Sequence, residues 1–393
     1  MAVMDSRPDF IVCRRRSGNV RHFVRRMGAT IALGGTLFAA APAALAGVPL
    51  PVVAQATGVP SLAGVVKQIA PSVVSIEVRG RTAAPTGAVR RQAGRGTQAG
   101  RAANLPAPAG RQFHATGSGV VFDARRGLIV TNSHVIDHAD DITVRLTDGR
   151  ALPARRVGAD PETDVAVIRV EADGLTELAF GDSDRLEVGD FVFAVGHPRE
   201  LGQTVTAGIV SGLHRENVGI ESYEDFIQTD AAIYPGNSGG ALVNFRGDLV
   251  GISTAFVGTG NSNPGFGFAI PVNMVRVLVD QLLAFGDIRH GALGFTFDDT
   301  VPVRVADLKL SAPPPGAVIL KVDARSAAER AGLKAGDVVT QLGGTPVRDA
   351  SDLSTRIALL RVGDIAEFAV SRQGGRLTVR ASLAERGPAP RPK

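Results

Sequence analysis

Ser238 stands in Gly236-Asn237-Ser238-Gly239-Gly240, a hydroxyl set among residues with almost no side chain. Glycines on both sides let the backbone turn tightly and bring its N–H groups close to whatever that hydroxyl attacks. A serine hydroxyl is a weak nucleophile at neutral pH, so it needs a base, and the base needs an orienting carboxylate. Upstream, His134 lies in Thr131-Asn132-Ser133-His134-Val135, and Asp164 lies in Thr163-Asp164-Val165-Ala166-Val167. The order along the chain is His, Asp, Ser.

That order separates two readings of the serine motif. Gly236-x-Ser238-x-Gly240 also fits the nucleophile elbow of α/β-hydrolases, where the serine comes first and the histidine last. Here only His290 follows Ser238. An elbow also needs a helix directly after the serine. Residues 241–244 and 249–254 are instead two short apolar runs about a Gly247-Asp248 turn, which is the pattern of a β-hairpin. The order matches the chymotrypsin-like arrangement of the three groups.

Other candidate groups carry less. His138 follows His134 by four residues, the spacing of a helical zinc pair, but Val135 takes the place of the glutamate such a motif needs. No metal and no other cofactor is expected. None of the five lysines follows a glycine, so there is no phosphate-binding loop for a nucleotide. His114 reads as part of a long loop, His197 and His214 as neighbours of turns, and Asp230 as a structural contact rather than a second acid.

The elements that must position these groups are mostly strands. Apolar runs at 119–122, 128–131, 142–146, 165–170, 191–195 and 205–210 alternate with turns, without a long helical period. Such spacing points to a β-barrel or sandwich. Pro271 then opens a helix through Val272, Val275, Leu278 and Leu282, which Gly286 ends. A smaller αβ module follows. Ser326-Ala327-Ala328-Glu329 is a capping box, Leu353, Ile357 and Leu360 line a helix over 351–361, and residues 365–371 and 377–383 flank a hairpin turn.

Aromatics are scarce and Trp is absent, so Val, Ile, Leu and Ala must form the interior. Residues 1–46 hold seven arginines against Asp5 and Asp9, so the formal charge of +5 resides there and the remainder is neutral. A nucleic-acid partner is not indicated. Arginines, an uncharged stretch from Met27 and a closing Ala44-Leu45-Ala46 read as an export signal over 1–46. An uncleaved leader would be a membrane anchor instead. The only cysteine, Cys13, lies in this leader, so the rest must hold together by packing alone. Residues 79–112 carry seven arginines and no acid among Gly, Ala and Pro, and read as a disordered loop.

Taken in order, these residues resemble the HtrA/Deg family of exported, ATP-independent serine proteases. The matching pieces are Gly117-Ser118-Gly119, 131–135, 163–167, 226–231, 236–244 and 265–271, with Leu293-Gly294-Phe295 and 331–338 resembling a PDZ domain. The resemblance implies a mostly β fold: a chymotrypsin-like double β-barrel over 60–285, followed by a smaller αβ PDZ domain over 290–384 and a flexible tail over 385–393. It implies that Ser238 attacks a peptide carbonyl, His134 takes its proton and Asp164 fixes the imidazole. The N–H groups of Gly236 and Ser238 would form the oxyanion hole, with Asn237 shaping that turn. Ala232 and Ile233 would line a neutral primary pocket, favouring cleavage after Val, Ala or Leu. Leu293, Gly294 and Phe295 would receive a terminal carboxylate. The implied partners are unfolded polypeptides and exposed C-termini, in a trimer-based homo-oligomer that is periplasmic or secreted. The implied role is degradation of damaged proteins, with a holding chaperone that cuts weakly as the other reading. The chain departs from the family's usual pattern at Gly196-His197-Pro198 and at Ser133, and Gly219 and Tyr223 match its activation loop only loosely.

Overall fold

The computed structural model describes residues 61–81, 112–198, 202–257, 265–299 and 314–385. The leader, residues 82–111 of the arginine-rich stretch and the tail beyond Glu385 lie outside them. After a short helix α1 (Ala63–Ile69), six antiparallel strands close a first barrel. They are β1 (Val73–Arg81), β2 (Gln112–Asp123), β3 (Leu128–Thr131), β4 (Ala139–Arg145), β5 (Ala151–Asp160) and β6 (Val165–Val170), in the order β1-β2-β3-β6-β5-β4. A one-turn helix α2 (Ser133–Ile136) leaves β3. A second barrel follows, from β7 (Phe191–Gly196), β8 (Thr204–Arg215), β9 (Phe226–Thr229), β10 (Ala241–Asn244), β11 (Leu249–Val257) and β12 (Phe266–Pro271). Closure leaves neither barrel a free edge.

The period of two along each strand divides the apolar residues between three cores. Val74, Val121, Ile129, Ala166 and Ile168 fill the first barrel, and Val192, Ala194, Leu242 and Val250 fill the second. Their immediate neighbours Val73, Val120, Val130, Val165, Val167, Phe193, Val195, Ala241 and Val243 face a shared core between the barrels. Helix α3 (Val272–Phe285) seals that seam with Val272, Val275, Leu278 and Leu282, and stops at Gly286 with φ +79°. Among the described residues no helix is long and apolar enough to cross a membrane.

The second module pairs β13 (Gly291–Ala292) with β20 (Ala384–Glu385). Its main sheet runs in the order β14 (Phe295–Asp299), β15 (Ala317–Val322), β16 (Val338–Leu342), β18 (Ile365–Arg372), β19 (Gly375–Ser382), with β17 (Thr345–Pro346) beside β16. Helix α4 (Ala327–Ala331) is capped by Ser326 Oγ, which accepts from Glu329 N, while Glu329 reaches back to Arg325 N rather than to the cap residue. Helix α5 (Ala350–Ala358) ends three residues earlier than expected. There the N–H of Leu360 turns back to Ile357 O, and Arg361 pairs with His290. His114 also departs from expectation. It lies on β2 opposite Arg79, because ladder pairing of β1 with β2 continues through Arg81 and Gln112, with Phe113 packed against the first-barrel core.

The modules meet at His290. Its Nδ1 lies 2.9 Å from Ala358 O, and its Nε2 lies 3.2 Å from Asp160 Oδ1. Both partners are acceptors, so only the imidazolium, with a proton on each nitrogen, satisfies both. Burial pushes the His290 pKa down, but the hydrogen bond and charge of Asp160, with Ala358 O and Glu162, outweigh it and the net shift is upward. The stability this contact supplies is therefore full in acid and lost as pH rises through the raised pKa. In His290→Gln the deficit in thermal stability should be about 1–3 kcal/mol near pH 6, as for a hydrogen bond to a charged group. It should shrink as pH rises through the raised pKa of His290. A deficit independent of pH, in melting curves of both proteins, would show that His290 is neutral there.

Candidate active site

Asp164 sits in the turn between β5 and β6 with φ +57°, a left-handed conformation that costs a non-glycine residue about 1–2 kcal/mol. Hydrogen bonds hold it there. Its carbonyl accepts from Ser133 N at 3.1 Å and from Asn132 Nδ2 at 3.0 Å, which ties the turn to the start of α2. Asp160 supports the same turn by accepting from Thr163 Oγ1 at 2.5 Å.

The buried Asp164 carboxylate collects three donors. Oδ1 accepts from His134 N at 2.9 Å. Oδ2 lies 2.8 Å from His134 Nδ1 and accepts from Thr254 Oγ1 at 2.7 Å. The bond to Nδ1 leaves Nε2 of a neutral imidazole free to take a proton. Burial lowers the His134 pKa, but the bond to Asp164, the charge of Asp164 and that of Glu221 raise it further, for a net upward shift. Thr254 also reaches the nucleophile candidate: Ser238 Oγ donates to Thr254 O at 3.0 Å. In this rotamer no hydrogen bond joins Ser238 to His134.

The turn carrying Ser238 is built by Pro235 and Gly236. Asn237 N donates to Tyr234 O at 2.9 Å, and Gly236 takes φ +96°, which closes a type II turn. The N–H groups of Gly236 and Ser238 have no acceptor among the described residues and remain available to an anion. Neither polar atom of the Asn237 side chain is hydrogen-bonded among the described residues, while its backbone N–H closes the turn. Ile233 is buried, and a Cβ added at Gly267 would lie 2.7 Å from its Cδ1, so the two pack directly. Ala232 accepts from Thr206 Oγ1 through its carbonyl at 2.7 Å. Asp230 accepts from Ile209 N at 2.7 Å, a structural contact. His214 pairs with Asp225 at 2.8 Å, and His197 N donates to Ser118 Oγ at 2.8 Å.

Two groups escaped the sequence reading. Thr254 follows Ser253 on a strand, and only the register of β11 brings it to Asp164. Glu221 lies on the 216–225 loop, organised by the buried Glu224, whose carboxylate accepts from Val218 N, Ile220 N and Glu221 N. Burial and the charges of Asp164, Glu224 and Asp160 push the Glu221 pKa up to about 7, against the opposing effect of His134.

In the second module, Leu293-Gly294-Phe295 leads into β14, the outer strand of its sheet. Gly294 has φ +75°, its carbonyl accepts from Asp323 N at 2.9 Å, and Leu293 O accepts from Ala328 N at 2.9 Å. The N–H groups of Leu293 and Gly294 have no acceptor among the described residues.

Comparison with known proteins agrees with this architecture. Residues 117–252 match the trypsin-like peptidase domain and residues 291–383 the PDZ domain. The chain is 41% identical over 350 residues to the periplasmic serine endoprotease DegP of Salmonella typhimurium, covering 83% of this chain and 72% of that one. It is 39% identical over 350 residues to the periplasmic pH-dependent serine endoprotease DegQ of Escherichia coli, covering 89% and 75%. The solved HtrA-type protease AlgW with a decapeptide superposes with a TM-score of 0.65 at 33% identity, over 84% of this chain and 99% of that one. With two closed barrels, a PDZ module and these relatives, the chain belongs to the HtrA family of chymotrypsin-like serine proteases.

Proposed function

We propose that this protease cuts unfolded polypeptides in the periplasm by an acyl-enzyme route, with Ser238 as nucleophile, His134 as general base and Asp164 as its orienting carboxylate. The observation that carries this reading is the three-donor grip on Asp164, which leaves one nitrogen of His134 to act. Rotation of the Ser238 hydroxyl away from Thr254 O would bring it to His134. Oγ then bonds to the carbonyl carbon while its proton passes to Nε2, and Asp164 stabilises the resulting imidazolium. The N–H groups of Gly236 and Ser238 receive the oxyanion, each such donor being worth about 10²–10³ in rate. Collapse expels the amine with the proton from His134, and water repeats the sequence to free the enzyme.

Neutral Ala232 and Ile233 favour cleavage after Val, Ala or Leu. The outer strand β14 and the unpaired N–H groups at Leu293 and Gly294 support capture of a polypeptide C-terminus, added as a strand between β14 and α5. The relatives' names support export to the periplasm, for which residues 1–46 would serve as the signal. Trimer-based assembly rests on the family resemblance. A second reading, a holding chaperone that cuts weakly, draws on the Ser238 hydroxyl being turned to Thr254 O.

Casein digestion separates the two readings. Ser238→Ala should lose about 10⁶ in turnover, and mass spectrometry of wild-type digests should place most cuts after Val, Ala or Leu. Undiminished cleavage by the variant would remove Ser238 from the mechanism, and cuts mainly after Lys or Arg would remove the neutral pocket. Glu221→Gln removes a charge that raises the His134 pKa. The acid limb of its kcat/KM profile should therefore move to lower pH, and an unmoved limb would show that Glu221 does not act on His134.

A further inference from the structure

Ser118, on β2 of the first barrel, touches the nucleophile turn of the second at both ends. Its Oγ donates to Gly236 O at 2.6 Å, and its N–H donates to Ser238 O at 2.8 Å. The residue is wholly buried, so neither bond competes with water. Its hydroxyl also accepts from His197 N at 2.8 Å. Its own carbonyl accepts from Thr131 Oγ1 at 2.7 Å, so Ser118 is itself anchored inside the first barrel.

The flanking glycines make this contact sterically feasible. A Cβ at Gly239 would lie 2.2 Å from Ser118 O, and a Cβ at Gly117 would lie 3.2 Å from Ser238 O and 2.7 Å from Val135. The turn has little other anchorage from side chains, since both polar atoms of Asn237 are unpaired. A peptide plane next to a glycine turns over easily. The Gly236 carbonyl shares its peptide plane with Asn237 N–H, and that plane lies between the two planes that carry the Gly236 and Ser238 N–H groups. The bond from Ser118 therefore fixes the dihedrals from which both N–H groups depart, while Asn237 O is held by Gly240 N.

We propose that Ser118 is a positioning residue for the oxyanion hole: its hydroxyl holds the carbonyl of Gly236, and so keeps the Gly236 and Ser238 N–H groups aimed at one point. This rests on the reading of Ser238 as nucleophile. Ser118 never touches substrate, and its effect is confined to states in which the carbonyl oxygen carries charge. Loss of the hydroxyl should therefore lower kcat and leave substrate binding almost alone.

The test uses the full chain with an unstructured peptide substrate and a peptide boronic acid, whose tetrahedral adduct on Ser238 presents an oxygen where the oxyanion forms. In Ser118→Ala, kcat should fall by about 10–100-fold, less than the loss of a direct donor. KM should stay within about twofold, since interactions made only in the transition state act on kcat. Boronic acid affinity should fall by the same factor as kcat. Ser118→Cys, of similar size with a weak donor, should lie between the two and carries the test if the alanine variant does not fold. An unchanged kcat, or equal losses in kcat and in substrate binding, would overturn the proposal. Activity surviving in Ser238→Ala would instead overturn the underlying reading, so the two failures are distinguishable.

Discussion

The structure depends on one buried negative charge. Asp164 has no solvent to stabilise its carboxylate, and an isolated buried anion would be costly enough to take up a proton instead. Three donors replace the water: a backbone N–H, an imidazole N–H and a threonine hydroxyl. They come from the first barrel and from β11 of the second, so the charge is satisfied only when both barrels are in place. The left-handed backbone of Asp164 is part of that arrangement, because its carbonyl must face Asn132 and Ser133 while its side chain faces His134.

The apolar seam explains why the cleft holds its shape. Strand alternation sends Leu128 and Val130 of β3, Val165 and Val167 of β6, Phe193 and Val195 of β7, and Ala241 and Val243 of β10 into the shared core, and α3 covers it. Polar bridges then occur at the rim of the seam, where burial makes them strong and leaves few alternative partners. Thr254 joins Asp164 to Ser238, and Ser118 joins the nucleophile turn to the first barrel. Each bridge crosses from one barrel to the other. A small shear between the barrels would disturb both.

The legible part of the sequence was what local pattern dictates. The strand runs, the helix between Pro271 and Gly286, the Ser326 cap and the glycine-flanked serine all follow from periodicity and backbone rules, and the described elements coincide with them. Strand β5 was missed because Arg155, Arg156 and the neighbouring exposed residues give it no apolar run; it is held by pairing with β4 and β6. Helix α1 was missed for its brevity. Thr254 and Ser118 were visible as residues but not as partners, since each acts across the two barrels and only register places it. Glu221 was invisible for another reason: its raised pKa comes from burial by a loop whose fold depends on Glu224, and no local pattern announces that.

The 216–225 loop ties the second module to the candidate site. Thr355 on α5 donates to Glu224 O at 3.1 Å, Tyr223 packs on the His290 ring with centroids 4.9 Å apart, and Arg348 reaches Glu216 at 2.6 Å. Glu216 is pushed up to about 8 by burial and by Asp349, despite the opposing charge of Arg348. Burial is thus the largest cause of the raised pKa of both Glu216 and Glu221, one near the module and one acting on His134. Hydration of either acid favours its anion, while packing of the loop favours its neutral form. The second module's contacts and the acid whose charge acts on His134 therefore share this one loop.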